Sequence, residues 1–76
     1  MKVEIYSKPT CLFCNKAKEW FKQNNIDYVE KDITINENKQ ELKEKIDFKT
    51  VPQIFIDDEY IGGYDDLIDN QFYILM

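Results

Sequence analysis

Lys2 to Tyr6 (KVEIY) alternates polar and apolar positions with period two, the pattern of a short strand with one buried face. SKPT follows as a loop, in which Pro9 fits a turn or the approach to a helix. The period then changes: Phe13, Ala17, Trp20 and Phe21 recur at helical spacing, with lysines on the other face. Asn24 and Asn25 suit the end of that helix, and IDYVEKDI (Ile26 to Ile33) reads as a second strand. Thr34, followed three residues later by Glu37, is a capping-box signature. The helix it opens has a narrow apolar stripe, Leu42 and Ile46, and so belongs on the surface. TVPQIFID (Thr50 to Asp57) is the most strand-like run in the chain. Pro52 cannot donate a ladder hydrogen bond, which places it at the start of that strand or on an open edge. DDEY turns the chain and Tyr60-Ile61 returns it as a hairpin. Gly62 and Gly63 break the strand. YDDLIDNQFYILM then reads as one short terminal helix, with Leu67, Ile68, Phe72 and Leu75 as core contacts.

The predicted order is strand, helix, strand, helix, hairpin, helix. A strand–helix–strand crossover makes the first two strands parallel and right-handed. The hairpin makes the last two antiparallel. The economical assembly is an α/β fold with one mixed four-stranded sheet and three helices packed on both faces. The pattern leaves strand order open. Seventy-six residues form a single domain, 1–76, with no room for a second core.

Charge narrows the function. The net charge is −5, with ten cationic residues, all lysine, and no histidine. An acidic chain without a cationic face is ill suited to nucleic acid or an anionic membrane surface. No secretory signal core precedes the first strand and no run approaches membrane-spanning length, which predicts a cytoplasmic protein. Without histidine, chemistry near neutral pH must run on sulfur, lysine or carboxylates.

That directs attention to KPTCLFC, which holds both cysteines, Cys11 and Cys14. As a staple the pair is weak: closing a loop of about four residues adds roughly 2 kcal/mol on chain-entropy grounds. As a zinc site it lacks ligands, since a structural site wants four and the chain has two cysteines and no histidine. Only a site shared between two subunits keeps that reading open. Burial as an inert small hydrophobe suits Cys14 better than Cys11. Cys11 sits just ahead of the helix, where unpaired N–H groups and the helix dipole favour negative charge. Lys8 lies three residues upstream and adds a cation. Both features favour the thiolate, the attacking species. A redox couple is the favoured reading.

With a strand before CLFC, then TVPQIFID, then IGGYDDL, the chain resembles the glutaredoxins of the thioredoxin superfamily, nearest to the small bacterial and phage dithiol members. The likeness runs from Lys2 to about Leu67. It implies a thioredoxin-like fold and a glutathione-dependent thiol–disulfide oxidoreductase, with glutathione as co-substrate and no metal. By this resemblance Cys11 is the nucleophile and Cys14 the resolving thiol. Thr50-Val51-Pro52 matches the family's cis-proline loop, and the Val51 backbone would pair with the cysteine of bound glutathione. Past Gly63, backbone N–H groups at Tyr64 and Asp65 would hold the γ-glutamyl carboxylate. A side-chain carboxylate of Asp65 or Asp66 would hold its ammonium group. Phe13 would border the groove, and Lys8 and Lys49 would face the anionic end of the tripeptide. The implied partners are glutathione and disulfide-containing or glutathionylated proteins, ribonucleotide reductase among them, served by a monomer.

The chain also departs from the family pattern. Leu12 and Phe13 replace the common Pro-Tyr between the cysteines, freeing a backbone donor and removing a hydroxyl. The last helix is expected to be abbreviated, leaving Phe72, Ile74, Leu75 and Met76 less buried than in relatives. The relaxed CLFC turn leaves an alternative, a dimer carrying a two-iron cluster with glutathione as co-ligand.

Overall fold

The computed structural model describes residues 1–76. Strand β1 (Val3–Ser7) and helix α1 (Leu12–Gln23) lead into β2 (Val29–Asp32), and α2 (Asn36–Lys45) connects to the hairpin of β3 (Gln53–Ile56) and β4 (Glu59–Gly62). Helices α3 (Tyr64–Asp69) and α4 (Gln71–Leu75) complete the chain. The sheet order is β2-β1-β3-β4. β1 runs parallel to β2 and antiparallel to β3, and β3 runs antiparallel to β4. No helix is long and apolar enough to cross a membrane.

Period-two alternation assigns the two faces of the sheet. Val3, Ile5, Ile54 and Ile56 point to one side and bury themselves against Ala17 and Phe21 of α1 and Leu67 of α3. Tyr6 and Phe55 point to the other side and pack with Leu42 of α2 and with Ile33. This second layer also holds a charge cluster that the sequence did not reveal. The Glu4 side chain is only 5% exposed and lies 2.9 Å from Lys31 Nζ, while Lys45 Nζ rests over the Phe55 ring at 4.8 Å.

Helix α1 ends as its asparagines suggest. Asn25 adopts a left-handed φ of 56°, its N–H bonds to the Lys22 carbonyl, and the Ile26 N–H reaches back to Phe21 at 2.9 Å. That pairing is a Schellman stop, and it draws Ile26 against the core. The second strand therefore starts at Val29 rather than Ile26. The capping box at Thr34 and Glu37 does not form. Both the Thr34 hydroxyl and its backbone N–H donate to Asp32 Oδ1, at 2.7 and 2.9 Å. This local turn takes the hydroxyl first, and α2 starts at Asn36 behind Ile35 with no side-chain cap.

The terminal segment is two helices rather than one, giving four in all. Asn70 breaks it: its amide side chain donates to the Asp66 carbonyl at 2.7 Å and its φ/ψ of −101°/10° throws α4 out of phase with α3. Leu67 stays fully buried, but Phe72 and Leu75 are 79% and 47% exposed, and Ile74 packs against the core in their place.

Candidate redox site

The pairing of β3 against β1 sets the site. It brings the loop ahead of β3 beside the loop that follows β1, so residues 50–52 meet residues 11–14 although about forty positions separate them. The Val51–Pro52 peptide bond is cis. Cys11 is the N-cap of α1, with extended backbone, and its Sγ accepts the Cys14 N–H at 3.1 Å. The Cys11 Sγ lies 3.5 Å from the Val51 carbonyl, to which the thiol form donates.

The two sulfurs occupy unlike surroundings. Cys11 is half-buried, at the mouth of the loops, whereas Cys14 is fully buried. Burial, followed by the hydrogen bond to Cys11, pushes the Cys14 thiol up to about 12 from an ordinary 9.0. At neutral pH Cys14 is therefore a protonated thiol in reserve behind an accessible sulfur.

Beside Cys11 runs a groove of about 300 Å³, lined by Phe13, Thr50, Val51, Pro52, Gly63, Tyr64, Asp65 and Asp66. Lys8 and Lys49 are exposed and do not line it. A larger depression, about 560 Å³, lies at the far end of α1 around Asn25 to Tyr28 and carries neither cysteine. The Phe13 and Tyr64 rings form one wall, 6.0 Å apart at 35°, with Lys16 Nζ over Phe13 at 5.1 Å. Opposite them, two loops nearly touch: a side-chain carbon added at Gly63 would stand 3.5 Å from the Pro52 carbonyl. Gly62 has φ +119°, and the Asp66 carboxylate fills the space its side chain would need. That carboxylate accepts the Gly63 N–H at 3.0 Å. Asp66 is thus engaged in shaping the loop, while Asp65 presents an exposed carboxylate. The first-turn N–H groups of Tyr64 and Asp65 have no partner within their helix.

Three contributors were missed by reading the sequence. Gln53, buried in the strand QIFI, donates its amide to the Thr50 carbonyl at 2.9 Å and accepts the Tyr60 hydroxyl at 2.6 Å. The pair pins the loop before β3. A polar residue at the head of an otherwise apolar strand is the signal that could have found it. Lys16, over the Phe13 ring, is indistinguishable in the sequence from the other lysines of α1. No group of three or more cysteine, aspartate and glutamate side chains gathers in a way that could hold a metal ion.

This arrangement suits two-step sulfur exchange: an accessible sulfur at a helix start, a second thiol behind it and a groove alongside. The comparisons with known proteins agree. The Glutaredoxin family model matches residues 3–61. Glutaredoxin 3 of Escherichia coli K12 is 44% identical over 66 residues, covering 86% of this chain and 80% of that protein. Glutaredoxin 1 of Rickettsia prowazekii is 43% identical over 70 residues, covering 86% of this chain and 72% of the other. Among solved structures, Glutaredoxin 1 from Francisella tularensis, complexed with cacodylate, superposes with a TM-score of 0.84 at 39% identity, covering 97% of this chain and 95% of that one. The buckwheat glutaredoxin–glutathione complex, at 23% identity and a TM-score of 0.81 over 96% of this chain and 70% of that one, shares the fold. With its cysteine pair at the start of α1 and this family match across both the pair and the following sheet, the chain belongs to the glutaredoxins, thiol–disulfide oxidoreductases of the thioredoxin superfamily.

Proposed function

We propose that this oxidoreductase uses glutathione as its co-substrate and reduces protein disulfides and glutathione mixed disulfides. The observation that carries the reading is the groove itself: its lining joins the Thr50–Pro52 loop, the Tyr64–Asp65 helix start and Phe13 beside the accessible Cys11 sulfur. A tripeptide extended along Val51 would exchange backbone hydrogen bonds there, as an added strand does. Its γ-glutamyl carboxylate would meet the free N–H groups of Tyr64 and Asp65. Asp66 commits one oxygen to the Gly63 N–H, and the exposed Asp65 offers its carboxylate to the ammonium group. Lys8 and Lys49, outside the groove lining, would act at longer range on the glycine carboxylate.

In the monothiol route the Cys11 thiolate attacks the glutathione sulfur of a glutathionylated protein. The protein thiolate leaves and takes a proton, and Cys11 carries glutathione until a second glutathione thiolate displaces it as oxidised glutathione. In the dithiol route Cys11 attacks a protein disulfide and Cys14 resolves the mixed disulfide. The resulting Cys11–Cys14 bond is then reduced by two glutathione molecules. A poise of about −200 to −230 mV suits both routes. A monomer is sufficient, because each named element comes from one chain. Ribonucleotide reductase, whose turnover leaves a disulfide, is a substrate of the required class. The cytoplasm, with its reducing glutathione pool, is the compartment that supports such a cycle.

The test is reduction of a glutathione mixed disulfide by Cys11→Ser and Cys14→Ser. Activity is expected to disappear in the first and persist in the second; equal loss in both would remove the monothiol route.

A further inference from the structure

Behind the sulfur pair runs a polar chain that neither route uses. Helix α1 carries Cys14 and, one turn later, Lys18, so both side chains lie on one face of the helix. Cys14 is fully buried, and the Lys18 side chain is confined to 17% exposure. Lys18 Nζ stands 2.7 Å from Glu30 Oε2, and the same oxygen accepts the Ser7 hydroxyl at 2.8 Å. Ser7 is fully buried at the end of β1, immediately before the loop that carries Cys11. Glu30 stands opposite Ile5 in the parallel register and so belongs to the sheet face that α1 covers. Glu30 lies on the edge strand β2 with 40% of its side chain open to solvent. Here a carboxylate ties an ammonium group from the helix to the sheet. Lys18 and then Ser7 hold the Glu30 carboxyl below its usual range, so it stays charged. The Lys8 backbone and, more weakly, Lys18 favour the ionised form of Cys14, against the larger opposing effects of burial and of Cys11.

We infer that Lys18, anchored by Glu30 and Ser7, is a positioning residue for the resolving step, its ammonium group stabilising the negative charge that develops on Cys14 Sγ. In that step the Cys14 thiol gives up its proton and its sulfur bonds to Cys11 Sγ. The bond between Cys11 Sγ and the outer sulfur breaks, and the departing thiolate takes the proton. Cys11 and Cys14 end as a disulfide, and the outer sulfur is reduced to a thiol. Burial protects Cys14 from stray reaction but opposes its ionisation. A fixed cation offsets part of that opposition. The inference rests on Cys14 resolving the mixed disulfide, but not on glutathione being the co-substrate.

A glutathione-free experiment keeps the two readings distinguishable. Equimolar reaction of the reduced protein with dithiobis(nitrobenzoate) releases one coloured thiolate when Cys11 attacks and a second when Cys14 resolves. For each unit of thiol acidity lost, the thiolate fraction falls about tenfold while its intrinsic nucleophilicity rises about threefold. Lys18→Gln and Lys18→Met, the latter keeping an unbranched apolar stem, are therefore expected to slow the second phase with the first unchanged. Lys18→Arg, which keeps the charge, is expected to restore it. Equal slowing of both phases, an unchanged second phase, or failure of arginine to rescue would each overturn the inference. A wild-type protein inactive toward glutathione mixed disulfides, yet showing the slowed second phase in these variants, would remove the glutathione reading and leave this one standing.

Discussion

The difference between the two cysteines can be measured with one thiol at a time. Cys11→Ser leaves Cys14 as the sole sulfhydryl, puts a hydroxyl where the Cys11 sulfur accepts its hydrogen bond, and keeps burial, the largest reason the Cys14 thiol is raised from 9.0 to about 12. A shift of about three units lowers the thiolate fraction near pH 8 by about a thousandfold, while the more basic thiolate gains roughly thirtyfold in nucleophilicity. Acidity alone therefore leaves alkylation about thirtyfold slower than for a free peptide thiol, and full burial of the sulfur slows it further. The assay is iodoacetamide labelling at fixed pH, followed by intact mass, with the same variant in denaturant as its own reference. Folded Cys14 is expected to react at least about thirtyfold slower than unfolded Cys14. Equal rates in the two states would show that neither burial nor the raised thiol protects it, and the division of labour between the sulfurs would fail.

Other consequences can be checked separately. Because the folded chain holds the Cys14 proton to higher pH than the unfolded chain, that group's stabilisation is full below about 9 and is lost as pH rises toward about 12. Denaturation of wild type against Cys14→Ala should therefore show the wild-type advantage shrinking by about 1.4 kcal/mol per pH unit above 9. A constant gap would contradict the shift. Gly62→Ala places a side chain at φ +119° against the Asp66 carboxylate. A loss of about 1–3 kcal/mol in urea denaturation, with weaker substrate binding, is expected; full stability would refute the strain. Gln53→Leu frees the Thr50 carbonyl and the Tyr60 hydroxyl. KM for a glutathione mixed disulfide should rise more than kcat falls, and an unchanged KM would show that the loop needs no such anchor. Glu4→Ala strips Lys31 and Lys45 of their shared buried carboxylate. A destabilisation of about 1–3 kcal/mol with no change in thiol reactivity is expected from thermal unfolding.

What was legible in the sequence is what depends on local order. Alternation in KVEIY and helical spacing from Phe13 to Phe21 placed β1 and α1, and Asn24-Asn25 placed the end of α1. The candidate site residues fall mostly in three short motifs, and the fold brings two of these, with Phe13, around one groove. What was not legible depends on competition or on distance. Thr34 could cap α2 or turn onto Asp32, and only the geometry of the preceding strand decides. Asn70 reads as an ordinary helical residue until its side chain is seen returning to the Asp66 carbonyl. The register that sets Glu30 opposite Ile5, and with it the anchoring of Lys18, follows from a parallel pairing that no local pattern specifies.

The central claim, that Cys11 carries glutathione in the groove beside it, is tested most directly by the structure of the Cys14→Ser adduct formed with oxidised glutathione. The expected result is one glutathione per chain, bonded to Cys11 Sγ, extended along Val51, with its γ-glutamyl carboxylate at the Tyr64 and Asp65 N–H groups. Absence of an adduct, or a glutathione bonded to Cys11 but lying outside the Phe13–Tyr64 and Thr50–Pro52 walls, would contradict it.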